Sequence, residues 1–119
     1  MPASRPKPAF RLQVRVLHDE GRALGPGKAD LLAQIHETGS ISAAARAMAM
    51  SYKRAWDLVD EMNRIFGGPV VAANRGGERG GGARLTPVGE ALLDAFRRIE
   101  ARCAEAAAGE LRRLQRLSR

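Results

Sequence analysis

The sequence has few of the residues that build chemical sites. Cys103 is the only cysteine, which excludes a disulfide framework and a multi-cysteine zinc site. His18 and His36 are the only imidazoles, and neither has a metal-ligand spacing, so a metal centre or hydrolytic triad is hard to assemble. We therefore expect no enzyme activity, no catalytic residues and no metal ligands. Cys103 is interpreted as a buried structural thiol within a helix.

Long apolar stretches are also lacking. No run approaches the roughly 18 residues that suggest a membrane span. The opening segment MPASRPKPAF lacks the apolar middle of a secretory signal. These absences predict a cytoplasmic protein with no membrane partner, and 119 residues suffice for one domain of ordinary size but not for two large ones.

Positive charge is in excess. Lysine and arginine number 20 against 13 acidic residues, which gives a formal charge of +7 and a pI near 11.0. Such a balance favours a polyanionic partner, either nucleic acid or an anionic membrane surface. The charge supports binding but specifies no fold.

The N-terminal part predicts an arm followed by a β-hairpin. Residues 1–9 contain three prolines and two basic residues, which is typical of a disordered basic arm. Apolar residues then alternate with polar ones, with the two-residue period of a half-buried strand, at Phe10, Leu12, Val14 and Val16. Turn residues at 18–21 predict a reversal and a short return strand at 22–24.

Three helices are predicted next. The breaker GPGK precedes a first helix that ends at Gly39, and Ser40 is placed to cap a second helix, ISAAARAM. After a short break, Ser51 caps a third helix that runs to Phe66. Alanines allow the second and third helices to approach closely.

The third helix has an apolar stripe and a polar first turn. An apolar stripe is predicted at Ala55, Leu58, Met62 and either Ile65 or Phe66, with Trp56 and Val59 widening it. Trp56 is interpreted as a core residue that supports the recognition surface, in preference to a ring that stacks on DNA. Asp57 and Glu61 are spaced four apart like catalytic carboxylates, but ion pairing with Lys53 or Arg54 is the favoured explanation on this basic helix.

A glycine-rich hairpin follows in VVAANRGGERGGGARLT. Strands are predicted near residues 70–73 and 84–86, and the loop between them contributes arginines that can contact phosphates. The same loop resembles RGG segments that bind single-stranded nucleic acid without sequence preference, or it merely connects the strands. The flanking strands favour the first interpretation, a wing.

The last segment predicts one long helix that starts at Thr86 and Pro87. Apolar residues recur at spacings of three and four, from Val88 to Ala106, and continue after Gly109. An unbroken helix would be about 45 Å long, so its distal half is predicted to pack on the same helix of a second subunit. At Gly109 the helix could kink or could cross another helix closely, and the sequence does not distinguish the two. The predicted interface residues are Leu92, Ile99, Cys103, Ala106, Leu111 and Leu114.

The order of elements predicts a mainly α fold with small β-hairpins, a winged helix-turn-helix with an N-terminal hairpin and a long C-terminal dimerisation helix. The predicted units are the arm at 1–9, a DNA-binding domain at 10–86 and the long helix at 87–119. The start of the third helix would enter a major groove, unless the bundle is an ordinary packing unit with a solvated polar face. The predicted DNA contacts are Ser40, Ser42, Ser51, Tyr52, Lys53, Arg54, Arg75, Arg79 and Arg84.

Two motifs together carry a specific resemblance. SISAAARAMAMSYKRAWDLVDEMN, followed by the glycine-rich segment ending in ARLT, resembles the N-terminal DNA-binding domain of the ModE family of molybdate-responsive bacterial regulators. The resemblance covers about residues 24–100. It implies a dimer that binds a palindromic operator near molybdenum-uptake genes, with Ser51, Tyr52 and Lys53 at the start of the recognition helix.

The sequence departs from the full-length pattern of this family in one respect. Family members that sense molybdate carry C-terminal oxyanion-binding domains, and this chain ends at Arg119 without them. A short form is therefore expected, with no cofactor of its own. Molybdate is possible only through the family resemblance, and a separate partner could sense the effector.

The sequence thus predicts a homodimeric regulator that binds duplex DNA sequence-specifically and controls molybdenum uptake or molybdenum-enzyme genes. Two other classes stay open. One is a nonspecific architectural nucleic-acid-binding protein, in which charge dominates. The other is a small-oxyanion-binding protein, against which the isolated arginines of a glycine loop argue because they form no enclosed site.

Overall fold

The computed structural model of the chain describes residues 9–74 and 82–119. Within these residues, four helices and two small antiparallel hairpins form the predicted winged helix-turn-helix. The first hairpin pairs β1 (Val16–His18) with β2 (Gly21–Leu24). The remaining elements are α1 (Pro26–Thr38), α2 (Ile41–Ala47), α3 (Tyr52–Ile65), β3 (Val71–Ala73), β4 (Ala83–Leu85) and α4 (Pro87–Leu117).

The N-terminal hairpin is shorter than predicted. The return strand ends at Leu24, as expected, but the first strand begins only at Val16, so the prediction of a strand from Phe10 was wrong. The physical reason is that β2 has only four residues before Gly25 and α1, which leaves residues 10–15 without a strand to pair with. Phe10 and Leu12 are exposed despite their alternating pattern.

The helix boundaries follow the predicted caps. Gly39 ends α1 in the left-handed conformation, with φ of 71°, and its N–H donates to the Ile35 carbonyl. The Ser40 and Ser51 side chains cap α2 and α3. Thr86 caps α4 by accepting from the Gly89 N–H at 3.1 Å. These predictions are confirmed.

One core joins the helices and the second hairpin. The largest fully buried side chains come from α1, α3, α4 and Val70, which directly precedes β3. Of the predicted α3 stripe, Ala55, Leu58, Val59 and Met62 are buried, whereas Trp56, Ile65 and Phe66 are only partly buried. The removal of these apolar side chains from water is the main stabilising contribution to a domain of this size. The fully buried large residues are Leu31, Leu32, Ile35, Val59, Met62, Val70 and Phe96.

Helix α4 presents a different face to this core from the one predicted. Gly89, Leu92 and Phe96 are buried, whereas Val88 and Ile99 of the predicted stripe are exposed. Gly89 sets this orientation because a Cβ there would overlap the Val70 carbonyl oxygen. Only glycine allows the helix to pack this closely on the backbone before β3.

The second hairpin is attached to the end of α1. Val71 pairs with Leu85 and Ala73 with Ala83, and the Ala83 N–H donates to the Gly39 carbonyl at 2.8 Å. The hairpin is therefore held against the helix-turn-helix at its base. The tip of the predicted wing, with Arg75 and Arg79, lies outside the described residues.

Helix α4 is continuous through Gly109, so there is no break at the position that the sequence left open. From residue 97 to 117, no α4 residue is buried in the described part of the chain. At the boundary, Arg97 donates hydrogen bonds to Asp30 of α1 and to Glu100, each 2.8 Å long. The hydrogen bond to Asp30, followed by that to Glu100, raises the pKa of Arg97 above its ordinary value.

Among the described residues, no helix combines the length and the apolar character that a membrane span requires.

Candidate DNA-binding surface

The connection between α2 and α3 sets the angle between the two helices. Ala49 adopts a positive φ of 54°, and the Met50 N–H turns back to donate to the Ala45 carbonyl at 3.0 Å. Ser51 then starts α3, its Oγ accepting from the Arg54 N–H at 3.0 Å. A positive φ is uncommon for a residue other than glycine, so this turn is held by its hydrogen bonds and not by residue preference.

Small side chains let the two helices lie close together. Ala44 and Ala45 of α2 and Ala55 of α3 are all buried in the core. With only a methyl group at each position, the backbones can approach without leaving a cavity. The predicted role of the alanines is consistent with this packing, which fixes α3 as a rigid support for the residues on its outer face.

The first turn of α3 is exposed and basic. Tyr52 is 56% exposed, the Lys53 side chain is 85% exposed, and Arg54 is also exposed. The first turn contains no acidic residue, and the free N–H groups of a helix start attract phosphate. The structure therefore places Tyr52, Lys53 and Arg54 together at the projecting start of one helix.

Lys53 is paired with a residue one turn along. Its Nζ lies 3.0 Å from the Asp57 carboxylate, which confirms the predicted ion pair for Asp57. Exposed pairs at this spacing contribute only about 0.3–0.5 kcal/mol. A phosphate or a base edge can therefore replace Asp57 at little cost.

The prediction for Glu61 was wrong. Its carboxylate pairs with Lys28 of α1 at 3.0 Å, and not with Lys53 or Arg54. Glu61 lies on the flank of α3 that faces α1 and the N-terminal hairpin, where the buried Lys28 amine also donates to the Arg22 carbonyl. Lys28 thus joins α1 to β2 and α3. In the sequence it lies in the helix-breaking segment GPGK, where nothing indicated this role.

Trp56 supports the exposed turn, as predicted. It is half-buried against the core, and its ring meets that of Tyr52 edge-on, with centroids 6.3 Å apart and planes at 87°. This is a favourable aromatic geometry. Tyr52 is therefore held by a fixed neighbour while most of its ring stays accessible.

The predicted serines have structural partners. The Ser40 and Ser51 oxygens accept from backbone N–H groups as caps, and each hydroxyl can still donate its proton to a phosphate. Ser42 accepts from the exposed Arg46 guanidinium at 3.0 Å. Arg46 was missed by the sequence argument, although its spacing of one turn from Ser42 was visible.

One wing arginine can be placed. Arg84 is exposed on β4, next to Ala83, whose N–H is bonded to the end of α1. Arg84 is therefore fixed relative to the helix-turn-helix through the strand. Arg75 and Arg79 belong to the residues that the structure does not describe.

The predicted interface residues of α4 differ in exposure. Leu92 is buried in the domain's own core, so it is not available to a partner in this fold. Ile99, Ala106 and Leu114 are exposed, and Leu111 is partly exposed. Cys103 is also only partly buried, so the prediction of a buried thiol was wrong: no other element of the described chain covers α4 at this point.

Comparison with known proteins gives a consistent result. Residues 28–90 match the family described as bacterial regulatory helix-turn-helix protein, lysR family. The chain is 54% identical to the molybdenum-pterin-binding protein MopB of Rhodobacter capsulatus over 72% of its own length and 32% of MopB. It is 40% identical to the molybdenum transport protein ModE of Azotobacter vinelandii over 69% of its length and 30% of that protein.

A third relative is described directly as a regulator. The DNA-binding transcriptional dual regulator ModE of Escherichia coli K12 is 41% identical over 60% of this chain and 27% of its own length. The chain thus spans about a third of the length of these curated relatives.

Proposed function

The chain belongs to the lysR family of bacterial regulatory helix-turn-helix proteins, and we propose that it binds duplex DNA sequence-specifically to regulate genes of molybdenum uptake or molybdenum enzymes. The observation that carries the proposal is the exposed, basic first turn of α3 on a helix held by buried alanines. The molybdenum assignment comes from the names of its relatives.

In this proposal, α3 enters the major groove by its first turn. Lys53 and Arg54 contact base edges or phosphates, and Tyr52 adds a ring and a hydroxyl. Lys53 leaves Asp57 when it meets the DNA, which is an inexpensive exchange for an exposed pair. Arg84, and the wing arginines Arg75 and Arg79, contact the flanking backbone.

We further propose that two chains form a homodimer through the distal half of α4. Ile99, Ala106 and Leu114 are exposed on this segment, and Cys103 and Leu111 are partly exposed. Pairing two such helices removes apolar surface from water and places the two α3 helices symmetrically. A two-fold protein reads a palindromic operator, with its half-sites spaced by the dimer geometry.

The test is binding to two duplexes by fluorescence polarisation, one with a palindromic ModE-type promoter site and one scrambled, across a salt series. We expect the parent to prefer the operator and the Tyr52→Ala/Lys53→Ala variant to lose at least about ten-fold in operator affinity. Arg112→Gln is the matched control: it removes one exposed charge from α4, on the opposite side from Cys103. Its operator affinity should stay close to the parent's.

The same assay separates the alternatives. Equal affinity of the parent for both duplexes, with equal salt dependence, would establish the architectural class instead. Adding molybdate tests whether an oxyanion changes operator affinity. Operator binding that is unchanged in the double variant would reject the assignment of α3 as the recognition helix.

A further inference from the structure

A second basic region lies beside α3, between the N-terminal hairpin and the start of α1. It is a partly open cleft with a volume of about 320 Å³. Hairpin, helix start and α3 each contribute at least one cationic side chain to it. The charged residues that line the cleft are Arg15, Arg22, Lys28, Arg54 and Glu61.

The positive charge of this cleft is only partly neutralised. Glu61 is its single carboxylate, and that carboxylate is already paired with Lys28 at 3.0 Å. Within residues 9–74 and 82–119, the guanidinium groups of Arg15, Arg22 and Arg54 form no ion pair. Three cations without an ion-pair partner therefore line one concave surface, where all three attract an anion.

The floor of the cleft is fixed. Lys28 is only 7% exposed, and its amine holds both the Arg22 carbonyl and the Glu61 carboxylate. These bonds tie β2, α1 and α3 together at the base of the cleft. The cationic side chains thus project from a rigid frame, which lowers the ordering cost of binding a ligand.

The start of α1 adds to the same field. Gly25 and Gly27 line the cleft, Gly25 gives α1 no side-chain cap, and the first turn contains no acidic residue. A Cβ at Gly25 would lie 3.0 Å from an Arg15 guanidinium nitrogen, so this guanidinium lies directly against the positive end of the helix. A bound anion would reduce the repulsion between these two positive charges.

We propose that this cleft binds a phosphate-class oxyanion, held by the guanidinium groups of Arg15, Arg22 and Arg54. Guanidinium groups suit this ligand because their planar N–H forks donate paired hydrogen bonds to its oxygens. The oxyanion has two possible sources. One is a backbone phosphate of the DNA bound by α3, since Arg54 belongs both to the first turn of α3 and to the cleft. The other is free phosphate.

The first experiment titrates the protein with potassium phosphate and follows backbone amide signals by NMR, against potassium chloride at matched ionic strength. Saturable shifts are expected at Gly25, Gly27 and Lys28. In Arg15→Gln/Arg22→Gln, both of whose side chains are exposed, phosphate affinity should fall by roughly ten-fold or more. Arg112→Gln should change it by less than about two-fold. The dispersion of the same spectra verifies that each variant is folded.

The second experiment identifies the source, using operator DNA and the same variants across a salt series. If the DNA supplies the phosphate, Arg15→Gln/Arg22→Gln weakens operator binding and makes the plot of log affinity against log salt shallower by about one. If the ligand is free phosphate, the slope stays at the parent value while the phosphate titration is lost. Either result supports the cleft.

The inference is overturned if phosphate shifts do not saturate, or are equally large in the double variant, and the DNA salt slope is also unchanged. Only the assignment of the oxyanion to a DNA phosphate rests on the proposed function. The inference and the proposed function can therefore fail separately. A parent that prefers the operator but has no cleft response keeps the proposed function and rejects the inference. A parent protein that binds phosphate in the cleft but shows no preference for the operator supports the inference and rejects the proposed function.

Discussion

The two ends of α4 have the same kind of sequence and very different surroundings. From residue 87 to 96, the helix buries Gly89, Leu92 and Phe96 in the domain core. From residue 97 to 117, none of its residues is fully buried in the described part of the chain, although apolar residues recur at the same spacings. Periodicity thus identifies a helix with an apolar face, but it does not say whether that face meets its own chain or another.

The difference is also energetic. The proximal part is stabilised by burial of a phenylalanine and by close contact with the Val70 backbone. The distal part depends on its alanines, on local hydrogen bonds and on the pair between Arg97 and Glu100. Most of the stability of a helix in a protein comes from tertiary packing of its apolar face, which the distal part lacks. Covering the distal face by a second copy would therefore stabilise it substantially.

The largest expected effect breaks the proximal end. Phe96→Ala should lower the free energy of unfolding by about 3–5 kcal/mol because a fully buried ring is lost and a cavity remains. Ile99→Ala, one turn along and 38% exposed, should cost less than about 1 kcal/mol in dilute protein. Urea denaturation measures both. A cost for Ile99→Ala that grows with protein concentration would locate Ile99 in a dimer interface.

Next in size is Gly89→Ala. Its methyl group would collide with the Val70 carbonyl oxygen, so α4 must move away from β3, at a cost on the order of 3 kcal/mol. The melting temperature should fall accordingly. A variant as stable as the parent would show that the close approach of α4 to this backbone does not hold the domain together.

The same substitution at the other end should have the opposite sign. A Cβ at Gly109 would meet only the tip of the Arg112 side chain at 3.8 Å, so Gly109→Ala should stabilise the helix by up to about 1 kcal/mol. Circular dichroism during thermal unfolding measures the change. Loss of stability, or of self-association, would instead indicate a partner helix crossing closely at Gly109.

The smallest expected effect lies at the boundary between the two ends. Asp30→Asn removes the hydrogen-bonded ion pair of Arg97 with α1 and should cost less than about 1 kcal/mol, because both groups are partly exposed. The cost should shrink at high salt. Arg98→Gln, which breaks only a pair within α4, is the control.

The pH dependence of this contribution has a definite sign. The pKa of Arg97 is raised in the folded protein, chiefly by its hydrogen bond to Asp30, so the associated stability is complete below the unfolded pKa and is lost only at strongly alkaline pH. The difference between Asp30→Asn and the parent should therefore stay constant through the neutral and mildly alkaline range. A stability difference that changed with pH in that range would contradict this assignment.

Much of the fold could be predicted because its boundaries depend on local chemistry. Ser40, Ser51 and Thr86 each cap a helix by bonding an N–H three residues ahead, and that preference is visible in the sequence. The start of β1 and the buried face of α4 could not be predicted. Both depend on contacts with distant parts of the chain: the length of a pairing strand in one case, and the Val70 backbone in the other.

The candidate site divides in the same way. The polar first turn of α3 and the pair between Lys53 and Asp57 follow from helical spacing, so the sequence was sufficient for them. Tertiary packing, by contrast, pairs Lys28 with Glu61. It also brings together around one cleft the side chains of Arg15, Arg22 and Arg54. No spacing rule connects residues on a hairpin, a helix start and a third helix.

Helix α4 packs on the domain only through its N-terminal part, so its distal part is a free arm that can pivot near Arg97. This arm is about 30 Å long, so a tilt of the helix axis by about 10° at the pivot displaces its tip by about 5 Å. Arg97 is bonded there to Asp30, on the helix that also holds Lys28 and lines the cleft. In a dimer joined at the arms, the same tilt would alter the separation of the two α3 helices. A small movement near Asp30 would then change how well the dimer fits the spacing of the operator half-sites.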